Sequence, residues 1–147
     1  MAVSVAFMTD RFNLSVVGDN FINDCCFGED VSYWLVSALC AEGIEARVVC
    51  MEDFGWANRA RFAGSSYLIC VGGYALHEPS RPNYGQWRVV LERRRTLMQT
   101  IQGKSKMSEA DPLVIKVKQF LIDAGFAQVD IEPSLPSARR GIVVQSD

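Results

Sequence analysis

The chain has 147 residues, of which 49% are hydrophobic and 22% charged, and its 15 Lys+Arg against 17 Asp+Glu leave a formal net charge of −2. Length alone supports a core without disulfide or metal staples, since such a chain buries roughly two-thirds of the surface that its unfolded form exposes. The composition lacks the low-hydrophobicity, high-charge signature of disorder, no apolar run approaches the ~18 residues of a membrane span, and the apolar start has no basic n-region of a secretory signal. A soluble cytoplasmic protein without membrane contact is the expectation.

In chain order, Ser4–Met8 and Asn13–Val17 read as a hairpin turning across Asp10-Arg11. A helix follows from Glu29 to Glu42, where Val31, Trp34, Leu35, Ala38 and Leu39 form one apolar stripe, Glu29 and Asp30 suit its N-terminus, and Gly43 supplies the stop. Ile44–Val49 then alternates apolar and polar positions, as a half-buried strand does. Trp56–Phe62, Tyr67–Val71 and Trp87–Glu92 are further short strand candidates, rich in aromatic and β-branched residues. Ala63-Gly64-Ser65-Ser66 reads as a hairpin turn, Gly72-Gly73 as a strand exit, and Gly72–Gly85 as a loop. Leu97, Met98 and Ile101 suggest a short helical turn.

A second helix is expected from Pro112 to Ala124, with Asp111 as N-cap, Val114, Val117, Phe120 and Leu121 on one face and Gly125 as its stop. Phe126–Ile131 again alternates, so the chain carries two helix-Gly-strand units that echo one another in pattern only. Strands in a row, with one helix early and one late, indicate an α+β fold: an antiparallel or mixed sheet of about 5–6 strands with two main helices packed on one face. Residues 1–132 make a single domain in this reading. Residues 133–147, opening with Pro133-Ser134-Leu135-Pro136, form an extended C-terminal tail in which Gly141–Gln145 is compatible with an edge strand.

The five cysteines, Cys25, Cys26, Cys40, Cys50 and Cys70, are odd in number and lack C-x2-C spacing, so they read as buried thiols of a cytosolic protein, with Cys25-Cys26 in a polar segment as the exception, rather than as a disulfide frame or a zinc site. His77 is the only histidine and lies in a Pro-rich loop, which removes a two-histidine metal site and leaves a surface position as the simplest reading. No phosphate-loop pattern accompanies Gly72-Gly73, so nucleotide binding is disfavoured and no cofactor is expected.

The most distinctive local run is Glu52-Asp53-Phe54-Gly55-Trp56, two carboxylates beside a Gly and a Trp that suits a pocket or an interface. Adjacent strand residues point to opposite faces, which favours a plain acidic turn with Trp56 packed inside. Charge is polarised along the chain. Arg88, Arg93, Arg94, Arg95, Lys104 and Lys106 stand against Glu92 alone, whereas Asp19–Asp53 carries eight carboxylates against Arg47 alone.

Trp34-Leu35 with Leu39, then Gly43, then Glu52-Asp53-Phe54-Gly55-Trp56, and later Trp87-Arg88-Val89-Val90 before the basic stretch, resemble an uncharacterised family of small bacterial α+β proteins with a W-L-x3-L…G…E-D-[WF]-G-W pattern. The resemblance covers about residues 28 to 131. It implies a stand-alone bacterial domain and brings no catalytic motif with it.

These residues favour a small protein-binding module of immunity, inhibitor or adaptor type. Its partner would be another protein, basic in character if the acidic residues face it, and Glu52, Asp53, Trp56, Arg93, Arg94 and Arg95 are the candidate contacts. One alternative is an enzyme with a carboxylate or thiol site at Glu52, Asp53, Cys25 or Cys26, for which no nucleophile–base pair is visible. Another is a nucleic-acid-binding regulator working through Arg88–Lys106, against which the acidic overall charge argues. Short strands, a free edge and three tryptophans also leave a homodimer open.

Overall fold

The computed structural model describes residues 2–22, 26–94 and 108–134. Cys25, Arg95, the Leu97–Ile101 turn, Lys104, Lys106 and the Gly141–Gln145 strand candidate lie outside the described residues.

Six strands form one open, wholly antiparallel sheet: β1 (Ala2–Thr9), β2 (Glu45–Glu52), β3 (Gly55–Phe62), β4 (Ser65–Ala75), β5 (Gly85–Arg93) and β6 (Ala127–Ser134), in the spatial order β2-β3-β4-β5-β1-β6. Strands β2 to β5 are a meander of consecutive hairpins. β1 is instead inserted between β5 and β6, with Val5 opposite both Val89 and Ile131. β6 runs through Pro133 to Ser134, two residues past the expected domain end.

Two helices complete the described fold, α1 (Glu29–Ala41) beside β2 and β3, and α2 (Pro112–Asp123) beside β6 and β1. Both end as the sequence indicates, with Gly43 and Gly125 at φ 81° and 82° directly after the caps Glu42 and Ala124. Asp111 accepts the backbone N–H of Leu113 at 2.9 Å and so satisfies one of the unpaired donors of the α2 N-terminus. α1 has no side-chain cap, and Glu29 and Asp30 in its first turn offset the positive end of the helix instead.

Strand alternation sorts the sheet into two faces. Val3, Val5, Phe7, Tyr67, Ile69, Val71, Trp87, Val89 and Leu91 occupy one face and share a single buried cluster with Val31, Leu35 and Leu39 of α1 and Leu113, Val114, Val117 and Leu121 of α2. Asn58, fully buried on the same face, donates to Ser32 Oγ of α1 at 3.0 Å and to the Ile69 carbonyl at 3.2 Å, which fixes α1 to the sheet by a polar contact as well.

Two expectations are corrected. Asn13–Val17 is not a strand: Asn13 Oδ1 accepts the backbone N–H groups of Ser15 and Val16, and Asn83 accepts that of Leu14. This side-chain network holds the segment as a loop while β1 takes its partners from far along the chain. Gly72-Gly73 is not a strand exit either, because β4 continues to Ala75. Gly73 faces Trp87 on β5, and a Cβ there would lie 2.5 Å from the indole ring, so the missing side chain makes room for the largest fully buried residue.

Candidate functional site

The sequence-based candidates do not converge. Glu52 and Asp53 are exposed at the tight β2–β3 turn. Gly55 closes that turn at φ 148°, with no room for a side chain, since a Cβ would sit 2.2 Å from the Val71 carbonyl oxygen. Trp56 is 7% exposed and its Nε1 donates to the Cys26 carbonyl at 3.0 Å, which pins the segment before α1 against the sheet. The Glu-Asp-Phe-Gly-Trp run is therefore a turn with its anchor in the core.

Arg93 and Arg94 lie at the opposite end of the sheet, where β5 ends, about 20 Å away along the strand direction. Arg93 turns toward the core face and pairs with Asp111, Nη1 to Oδ2 at 3.0 Å, with the two side chains 16% and 1% exposed. The Tyr67 hydroxyl donates to the same carboxylate at 2.9 Å. Burial first, and then the adjacent Asp111, push the Tyr67 phenol up to about 12. Arg93, Asp111 and Tyr67 thus tie the end of β5, the start of β4 and the start of α2 into one charge-assisted knot.

Arg94 follows on the opposite, solvent-facing side, where its backbone N–H donates to the Ser66 carbonyl at 2.8 Å. The register collects other arginines there. Arg61 is opposite Ser66 across β3–β4, Arg59 is opposite Leu68, and Arg47 on the edge strand β2 is directly opposite Arg59. Arg47, Arg59, Arg61, Arg94, Ser66, Glu45, Ala46, Ala60 and Tyr67 line a shallow concavity of about 360 Å³. Among the described residues, none of Arg47, Arg59, Arg61 and Arg94 has a carboxylate within ion-pair distance. Arg88 on the same solvent-facing side does, pairing with Glu132 across β1.

This cluster escaped sequence reasoning. Arg47, Arg59 and Arg61 are scattered, and Arg47 sits inside the acidic half, so only register brings them together with Arg94. The alternating Arg59-Ala60-Arg61 on a strand was the available signal, because residues two apart share a face.

Elsewhere the chemistry is quiet. The cysteine expectation is corrected: Cys40 and Cys50, expected in the core, are exposed, whereas Cys26 from the polar segment is fully buried, with Sγ 3.4 Å from the Glu52 carbonyl oxygen. Burial first, helped by Glu92 and Glu52, pushes the Cys70 thiol up to about 11, and the hydrogen bond to Glu52 raises that of Cys50. Both shifts oppose the thiolate that a nucleophile needs. His77 is exposed in the β4–β5 loop. Among the described residues no three His, Cys, Asp or Glu side chains are grouped to hold a metal ion, and no helix is long and apolar enough to cross a membrane.

A scan against protein-family models, a search of curated proteins and a search of solved structures found no match.

Proposed function

We propose that the protein is a binding module that recognises an acidic partner protein through the arginine-lined end of its open sheet. The observation that carries this reading is the group Arg47, Arg59, Arg61 and Arg94, which converges on one concavity without an ion-pair partner among the described residues. Arg47 directly opposite Arg59 is a like-charge pair, which costs stability unless something else offsets it. Recognition of an anion supplies that offset. The Arg93–Asp111–Tyr67 knot beneath supports the same reading, because it anchors the strand end that carries Arg94.

The acidic turn is the weaker surface. Glu52 and Asp53 are two exposed carboxylates with Trp56 withdrawn into the core, so the partner chemistry shifts from basic to acidic. In this reading both helices cover the apolar face and leave the arginine-bearing face to the partner. Cys40, Cys50 and Cys70 as unpaired thiols fit a cytoplasmic setting. A second copy joined along the open strands β2 or β6 is compatible with it.

The experiment is retention of acidic, basic and neutral peptides, and of a single-stranded oligonucleotide, on immobilised protein at low ionic strength. We expect the acidic peptide to bind and the Arg59→Gln/Arg61→Gln double variant to release it. Failure of every anionic probe to bind, or binding that survives this replacement, overturns the reading.

A further inference from the structure

The geometry points to a single phosphoryl group, carried on a side chain of the partner, as the anion that the arginine concavity takes. This inference rests on the binding-module reading above and narrows its ligand. Arg61 on β3, Ser66 on β4 and Arg94 just past β5 stand side by side in a row across the solvent-facing side of the sheet. With neighbouring strands ~4.8 Å apart, the two arginines flank the serine at about 10 Å from one another, within reach of one small group held between their side chains. Arg59 lies two residues from Arg61 on the same face, and Arg47 stands opposite Arg59.

Charge and donor count then choose among anions. Among the described residues that line the concavity Glu45 is the only carboxylate, so its four arginines leave a surplus of three positive charges there. A carboxylate brings one negative charge and two coplanar oxygens, which a single bidentate arginine already satisfies. A phosphoryl group brings between one and a half and two charges and three acceptor oxygens, roughly what two flanking guanidinium forks and a hydroxyl can take up.

A continuing polyanion fits less well. Glu92 lies opposite Leu68 in the row of Arg59, Glu52 ends β2, and Asp130 and Glu132 occupy the far side of the same face. A nucleic acid backbone leaving the concavity along the sheet would meet these carboxylates. A compact anion does not.

The test is calorimetric titration of the full chain with one short peptide of neutral sequence in three forms, carrying serine, glutamate or phosphoserine at its centre, alongside inorganic phosphate and a single-stranded oligonucleotide. The phosphoserine form should bind about tenfold more tightly than the glutamate form or better, and the serine form should not bind measurably. Arg61→Gln and Arg94→Gln should each weaken the phosphoserine peptide about tenfold, the loss expected for one charge-assisted contact. Arg88→Gln, which removes a charge on the same face outside the concavity, should leave it unchanged. Folding of each variant is checked by its amide NMR spectrum, and Arg94→Lys serves as a second variant that keeps the charge but loses the fork.

Competition by inorganic phosphate at a concentration near that of the peptide would assign the site to free phosphate rather than to a partner's side chain and overturn the proposal. Equal affinity for the glutamate and phosphoserine forms would overturn it while leaving the acidic-partner reading intact. If neither form binds, both readings fall. Oligonucleotide binding that is tighter than the phosphopeptide and falls steeply with salt would replace both with a nucleic acid surface.

Discussion

Arg93 and Arg94 are neighbours in the chain, yet one is sealed against Asp111 and the other stands at the rim of a solvent-facing concavity among three further arginines. The difference follows from strand alternation alone. On the core face a guanidinium must bring its counter-charge with it, because an unpaired buried charge costs several kcal/mol. On the outer face water screens the charge, so Arg47, Arg59, Arg61 and Arg94 can be collected there with no ion-pair partner among the described residues. The same sheet end therefore holds one closed electrostatic site that serves stability and one open site that is available for recognition.

Replacing the closed site's carboxylate is the strongest way to break this contrast. Asp111→Ala removes the ion pair of the largely buried Arg93, the acceptor of the Tyr67 hydroxyl and the α2 cap, so a loss of about 3 kcal/mol is expected in urea unfolding. A loss below about 1 kcal/mol would mean that Arg93 swings out to water, and the two faces would no longer differ in kind.

Tyr67→Phe is milder and has a pH signature. The neutral phenol is held in the fold up to about 12, whereas in the unfolded chain it ionises near its ordinary value of 10.0. Between those values the unfolded state binds fewer protons than the native state, so stability falls as pH rises through this window and is fully present below it. At neutral pH the variant should lose about 1 kcal/mol from one hydrogen bond. Urea unfolding at neutral pH and again near the upper end of the window should show the gap between the two chains shrinking, whereas a constant gap would contradict the role assigned to the hydroxyl.

The smallest effect belongs to the open site. Arg47→Glu turns a like-charge opposition with Arg59 into an attractive one and should raise stability by a few tenths of a kcal/mol. Added salt should narrow that gain, as read by thermal unfolding of both chains in parallel. The same change should abolish peptide binding, which separates what the arginines do for recognition from what they cost the fold.

Much of the architecture was legible because its signals are local. Both helices with their glycine stops, the Ala63-Gly64 turn and most of the strand cores follow from periodicity and caps within a dozen residues. What escaped was set by residues far away. Gly73 looked like the end of a strand, but its reason is the Trp87 ring on the next one. Asn13–Val17 looked like a strand, but Asn83 contributes to holding it as a loop. The candidate site suffered most: its members come from β2, β3 and the end of β5, and only their register shows that they meet. The Glu52–Trp56 run was prominent for a structural reason, a turn too tight for any residue but glycine at position 55.

The insertion of β1 between β5 and β6 also sets a timetable for synthesis. Strands β2 to β5 can zip up as successive hairpins while the chain is being made, whereas β1 emerges first and must wait for residues 85–93 and then 127–134. At ribosomal rates of ~5–20 residues per second, that wait is on the order of ten seconds, during which a strand rich in apolar residues has no partner of its own. A nascent chain stalled between β5 and β6 would therefore hold β1 by one edge only, leaving the other as an unpaired template for neighbouring chains.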